Sequence, residues 1–181
     1  MQKNIGNNLA LYPTLLVVVG TMVNGKPNYV LVGHLGIIGH DRIMVSLAKS
    51  HYTNKGIRDT CVLTVSIVDK AMLKKADYVG CVSGNKTDKS EVFLYHKGET
   101  GAPIIDEAPV VMECTLDDIY ETDGFESFIC KIAGVHANES VLTESGNIDY
   151  RKLKPVLFEM PTYEYLQTGD VICKCKSLCR E

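Results

Sequence analysis

The chain has 181 residues, a formal net charge of −3, 45% hydrophobic residues and 23% charged residues. That balance fits one folded domain, residues 1–181, with a sizeable core. It argues against a general nucleic-acid binder, which carries a basic excess, and no apolar run approaches the roughly 20 residues that span a bilayer.

The start, MQKNIGNNLALYPTLLVVVG, has one Lys and an apolar segment interrupted by Pro13. No small-residue cleavage site follows, so a secretory signal is not expected and the cytoplasm is the expected location. Seven cysteines are an odd number for a disulfide framework. Cys61, Cys81, Cys114 and Cys130 lie far apart, mostly in apolar stretches, and are expected to be reduced and buried.

Residues 1–13 are polar and expected to be loosely held. Thr14–Val23 is β-prone. Asn24-Gly25 then signals a hairpin into Asn28–Val32, with Lys26 and Pro27 able to lengthen the loop. Gly33, Gly36 and Gly39 mark bends or close approach of a ligand. Arg42–Ala48 is the next strand, expected to be buried on both faces or nearly so. After it the chain switches to Lys49-Ser50-His51-Tyr52-Thr53-Asn54. This places a cation, hydroxyls and a helix start, capped by Thr53, directly after a strand. That combination suits a phosphate-bearing ligand.

Cys61–Val68 reads as a strand. Asp69 caps a helix running to about Val79, with Met72, Leu73, Ala76 and Val79 on one side and Lys70, Lys74 and Lys75 opposite. Gly80–Lys97 reads as a donor-rich loop, and Gly98–Pro109 as a connection. Val110–Ile119 and Phe125–Ala137 form a second hairpin around Asp123-Gly124. A helical turn in Asn147–Lys154, capped by Asn147 or Asp149, precedes short closing strands at Val156–Met160 and Tyr163–Leu166. Many β segments with two or three short helices indicate an all-β or β-dominated (α+β) barrel. There is no internal repeat, Ser-His-Asp signature, HExxH or P-loop.

Several pieces stand together in order. They are Gly20-Thr21…Asn24-Gly25-Lys26-Pro27-Asn28, Met44-Val45-Ser46-Leu47 running into Lys49–Asn54, Lys75-Ala76-Asp77-Tyr78-Val79-Gly80-Cys81-Val82-Ser83-Gly84, and Thr87-Asp88-Lys89-Ser90. Over roughly residues 9–166 this set resembles the flavin reductase-like family, in particular its flavoredoxin branch. The resemblance implies a split β-barrel, non-covalent FMN near a homodimer interface, and oxidoreductase activity. The reductant it implies is NAD(P)H or a redox protein partner. Two departures accompany it. Relatives typically carry a Thr and an aromatic, often Trp, in the segment equivalent to Val30–Gly36. This chain has Leu31, Gly33 and His34 there, and no Trp. The C-terminus instead holds Cys173, Cys175 and Cys179.

On this reading Lys49, Ser50 and Thr53, with the Tyr52 and Asn54 backbone, take the FMN phosphate. The backbone groups of Asn28, Tyr29, Val30 and Leu31, and of Ser46, Leu47 and Ala48, face the ring edge, unless strand pairing consumes them. Asn28 is the side chain expected to contact the ligand. His34 stands where the family's aromatic borders the ring, and an imidazole changes charge near neutral pH. Ser83, Gly84 and Lys89 reach the ribityl-phosphate end by resemblance. On composition alone that loop is exposed, with Lys86 and Lys89 in water. Hydride transfer to flavin needs stacking and orientation, so no catalytic residue is assigned. The tail, residues 169–181, matches no standard zinc spacing. It reads as a mobile tail or as reactive thiols beside Lys174, Lys176 and Arg180. A non-catalytic flavin store or sensor is the alternative function, and a thiol- or metal-linked role of the tail is a third.

Overall fold

The computed structural model describes residues 1–179. Its elements, in order, are β1 (Thr14–Leu15), β2 (Val17–Val23), β3 (Lys26–Val32), β4 (Leu35–Ile37), β5 (Arg42–Ala48) and helix α1 (Tyr52–Thr60). Next come β6 (Val62–Ile67), helix α2 (Leu73–Cys81), β7 (Tyr95–Lys97), β8 (Pro103–Ile105), β9 (Val110–Glu121) and β10 (Phe125–Ala137). Helix α3 (Tyr150–Leu153), β11 (Val156–Glu159) and β12 (Glu164–Gln167) complete the fold. The main sheet has seven strands in the order β3-β2-β6-β9-β10-β5-β4, paired antiparallel throughout.

The apolar run Leu16–Val19 is continuous because β2 is buried on both faces. Val17 and Val19 enter a cluster with Val30, Val45, Leu47, Leu63 and Phe128, the interior of the curled sheet. Leu16 and Val18 enter a second cluster with Met72, Ala76 and Val79 of the α2 segment. The sheet curls enough for β3 and β5, far apart in strand order, to share the first cluster. Each fully buried Val or Leu contributes about 1.5–3 kcal/mol, so the two clusters hold α1 and α2 against opposite faces.

Several details depart from expectation. The expected strand Thr14–Val23 is broken at Leu16, whose N–H donates to Val156 O (3.0 Å) and whose carbonyl accepts from Val68 N (3.1 Å). Asn24 (φ 50°) and Gly25 (φ 81°) make a tight two-residue turn, so β3 begins at Lys26 and the loop is not lengthened. Pro27 is tolerated because β3 is an edge strand. Strand β5 is not buried on both faces: Ile43, Val45 and Leu47 point inward and alternate with half-exposed neighbours. The β7–β8 hairpin lies in what reads as loop and connection. Two three-residue strands are too short to show a periodicity.

Thr53 does not cap α1. The cap position is His51, with no side-chain capping bond, while Thr53 is buried beneath the β2–β3 hairpin. Asp69 accepts from Met72 N at 2.9 Å but closes only the turn over residues 70–72, because α2 begins at Leu73 with Met72 at its cap position and no side-chain capping bond. Asp149 does cap α3, accepting from Arg151 N at 2.9 Å. Cys114 and Cys130 are buried, whereas Cys61 and Cys81 are exposed at the ends of α1 and α2. Helix ends present the side chains of their last residues to solvent, which apolar neighbours in sequence do not reveal. No helix among the described residues is long and apolar enough to cross a membrane.

Helix α1 seats on β2 through Gly56. A Cβ there would lie 2.7 Å from the Met22 carbonyl oxygen and 2.6 Å from Thr21 Cγ2. Because the obstacle includes backbone, Gly56→Ala is expected to destabilise the chain by about 1–3 kcal/mol. Chemical denaturation will show this as a lower midpoint, and an unchanged midpoint would refute the seating.

Candidate functional site

Three pieces converge at one end of the β2–β3 hairpin: its turn, the first residues of α1 and the loop following α2. Asn28, 5% exposed, donates from Nδ2 to Thr53 Oγ1 at 2.8 Å. The Tyr52 hydroxyl accepts from Asn24 Nδ2 at 3.1 Å. Asn85 Nδ2 donates to the Ser50 carbonyl at 3.3 Å. Gly84 lies against this group so closely that a Cβ would sit 2.6 Å from Asn28 Oδ1 and 2.9 Å from the Tyr52 ring. Only glycine lets the loop lie there. The convergence encloses a cavity of about 400 Å³ lined by Asn28, Tyr52, Gly84, Lys86, Thr87 and Lys89 among others. That volume falls in the range of small-molecule sites.

Lys89 is 4% exposed, not a solvated loop cation. Its Nζ donates to Tyr29 O at 3.0 Å and Val79 O at 2.7 Å. Val79 is in the last turn of α2, where the helix dipole favours a cation. Burial nevertheless lowers the ammonium to about 8. His51 is held below its ordinary value, first by burial and second by the Lys89 charge. The first turn of α1 carries no acidic side chain, leaving its dipole end open to an anion.

Lys49 is exposed and pairs with Glu121 at 3.2 Å. Glu121 also pairs with Arg58 at 2.7 Å, and Arg58 with Glu126 at 2.7 Å. Asn54 Nδ2 donates to Glu126 Oε2 at 2.6 Å and to Ala48 O at 3.1 Å. Its Oδ1 is buried without a partner among the described residues.

The remaining candidates divide by strand. Tyr29, Val30 and Leu47 have fully buried side chains, and Tyr29 packs edge-on against Phe93 at 5.1 Å. Burial raises the Tyr29 phenol well above its ordinary value. Leu31 is half-buried against Gly80. As β3 is an edge strand, the outward backbone groups of Asn28–Leu31 stay outside the ladder. Asn28–Leu31 pair with Thr21–Val18 on β2, and Ser46, Leu47 and Ala48 likewise pair with Ser127, Glu126 and Phe125 on β10. Ser46 Oγ and Ser127 Oγ lie 2.6 Å apart. In both strands, therefore, pairing consumes the backbone groups that face the partner strand and leaves those on the other edge outside the ladder.

His34 Nε2 lies 2.9 Å from the Tyr12 hydroxyl, which also reaches Met160 Sδ at 3.1 Å. Phe125 meets the imidazole edge-on at 5.7 Å. Ser83 is exposed, and its carbonyl accepts from Lys86 N and Thr87 N, both at 2.9 Å. Tyr12, Phe125, Met160, Lys86 and Thr87 escaped the sequence reading. They carry no local motif: Tyr12, Phe125 and Met160 gather around His34 only through folding, none of these four lines the cleft, and Lys86 and Thr87, which do, lie inside the donor-rich loop. Cys173, Cys175 and Cys179 are exposed free thiols, and Arg180 lies outside the described residues. Burial pushes the Cys114 and Cys130 thiols up to about 12, so neither is reactive near neutral pH.

The curled antiparallel sheet with peripheral helices is a split barrel of the flavin reductase type. The chain belongs to the flavin reductase like domain family, which it matches over residues 9–165. It is similar to the flavoredoxin of Methanosarcina acetivorans, at 31% identity and TM-score 0.94, covering 99% of this chain and 98% of that one. It is similar to the flavoredoxin of Desulfovibrio vulgaris (Miyazaki F), at 33% identity and TM-score 0.91, covering 99% and 100%. An FMN-binding protein from Thermus thermophilus shares the fold, at 19% identity and TM-score 0.83 over 96% and 100%. The chain spans about half the length of the curated relative it matches, an uncharacterized Aeropyrum pernix protein 26% identical over 132 residues, 70% of this chain and 50% of the relative.

Burial of Lys89 makes stability depend on pH. The folded chain holds it near 8 against an ordinary 10.5, so between these values the unfolded chain binds more protons. The contribution of Lys89 to stability therefore rises with pH across that window. The buried Cys114 and Cys130 thiols act in the opposite direction above about pH 9, so the test is the difference between chains. Chemical denaturation at about pH 8 and about pH 10 will show a change with pH that is less favourable in Lys89→Met than in the wild type. Equal slopes would exclude that contribution from Lys89.

Proposed function

We propose that the chain binds FMN non-covalently and acts as an oxidoreductase, either a flavin reductase or a flavoredoxin-like electron carrier. NAD(P)H or a redox protein partner is the reductant. The observation that carries this reading is the cleft between the hairpin turn, the start of α1 and the Gly84 loop. Its donors fit a phosphorylated, amide-recognising ligand: an uncapped helix start, the Asn28 carboxamide, hydroxyls and lysines. Bound flavin would supply hydride and electron acceptance.

The chain's own residues have distinct parts in this reading. Ser50, Tyr52 and Thr53 at the start of α1 present the backbone and hydroxyl groups of a phosphate site. Asn54 holds that turn to β10 through Glu126. Asn28 and the outward backbone of Tyr29–Leu31 serve the pyrimidine edge, and the Ser83-Gly84 turn and Lys89 close the cleft. His34, held by Tyr12, borders the ring and excludes water together with Phe125. The His34–Tyr12 bond, standing where relatives carry an aromatic, is the observation that favours the second reading, a flavin store or sensor.

Seven free thiols fit a reducing compartment such as the cytoplasm. Ile37 is 86% exposed and Ile38 49%, on and beside edge strand β4. Ile37 lines an apolar cavity of about 560 Å³. Exposed apolar surface of this kind supports a homodimer. Light scattering is expected to give a dimer that Ile37→Lys weakens; a monomeric wild type would sink that assembly.

The chain is expected to quench FMN fluorescence and shift its visible spectrum. Stopped-flow mixing with NADH and with NADPH then separates the two readings. Rapid bleaching of bound FMN marks a reductase, and no bleaching with either nucleotide or a reduced protein donor marks a store. Absence of any spectral shift would refute FMN binding.

A further inference from the structure

Three lysines line the cleft, Lys26, Lys86 and Lys89, and Lys49 lies just before α1; the fold leaves these four electrostatically unequal. Lys26 pairs with Asp88 at 2.7 Å. The Lys26 and Ser90 hydrogen bonds hold that carboxyl well below the usual carboxylate range, so the pair stays ionised and contributes no net charge. Lys89 donates to two backbone carbonyls from a buried position. Lys49 pairs with Glu121, itself held below its ordinary value by Arg58 and Lys49. A ligand drawing on Lys49 must compete with that carboxylate. Lys86 is different. It lines the cavity, its backbone N–H is anchored on the Ser83 carbonyl at 2.9 Å, and its side chain is exposed. Among the described residues it enters none of the ion pairs that occupy Lys26 and Lys49.

We infer that Lys86 is the cation that receives the phosphate of the bound flavin, and that Lys49, the residue the sequence favours, is not. The inference rests on the FMN reading above and assigns the selectivity for a phosphorylated over an unphosphorylated flavin to one side chain. Three features of the cleft favour it. Gly84, two residues before Lys86, lies directly against Tyr52 and Asn28. Asn85 ties the same loop to Ser50, in the turn that leads into α1. An ammonium on a flexible stem needs only to swing inward to meet an anion held at that helix start. Loss of such a charge-assisted contact weakens binding by about tenfold.

Equilibrium titrations with FMN and with riboflavin, which lacks the phosphate, test the assignment in wild type, Lys86→Met and Lys49→Met. Both lysines are exposed, and circular dichroism will check that the variants fold. Lys86→Met is expected to weaken FMN about tenfold while leaving riboflavin affinity unchanged. Lys86→Arg should restore FMN binding, and Lys49→Met should change it by less than about twofold. A selective loss in Lys49→Met with none in Lys86→Met would overturn the assignment. So would equal weakening of both flavins by Lys86→Met. A wild-type chain that binds neither flavin would overturn the FMN reading together with the assignment, whereas one that binds both equally overturns the assignment alone.

Discussion

The whole arrangement depends on burying strand β2 on both faces. A strand with one wet face needs one layer of covering; β2 needs two. Val17 and Val19 close the interior of the curled sheet, and Leu16 and Val18 pack toward the α2 segment. Because β2 and β3 form one hairpin, this double covering brings α1 and α2 to opposite faces of the same two strands. The start of α1 and the loop leaving α2 therefore meet at the hairpin's turn. The cleft is a consequence of how the core is covered.

That geometry puts close packing under the site. Gly56 lets α1 sit on β2 and Gly84 lets the loop sit on Asn28 and Tyr52. In both places a missing Cβ decides how near two segments come. Asn28 links the hairpin to α1 through Thr53, and Lys89 links β3 to α2 through Tyr29 and Val79. Polar groups buried this deeply are costly unless paired. Their pairing makes them ties between elements as well as candidate ligand contacts.

Charge around the cleft is shared out in the same manner. Asp88 and Glu121 neutralise Lys26 and Lys49, while burial and carbonyl partners hold Lys89. Such exposed pairs add little to stability, yet they decide which cations remain available to a ligand. His34 faces a comparable division, since Tyr12 occupies one ring nitrogen and Phe125 one flank.

Much of this was legible in the residues themselves. Asn24-Gly25 dictates its turn, because both residues must take positive φ. The Met72, Ala76 and Val79 spacing dictates the inner face of α2, and the ordered motifs from Gly20 to Ser90 point to the family. Other features have no local trace. Thr53 reads as a cap because sequence shows its neighbours along the chain, whereas the folded hairpin gives it Asn28 as a partner. Lys89 reads as a solvated loop residue, whereas two carbonyls distant in sequence receive it. Local periodicity and turn chemistry act over a few residues, so the sequence alone determines elements and their order. Which polar side chains are buried, which lysines are neutralised and which residues line the cleft depend on contacts between segments dozens of residues apart, and only the tertiary structure decides those.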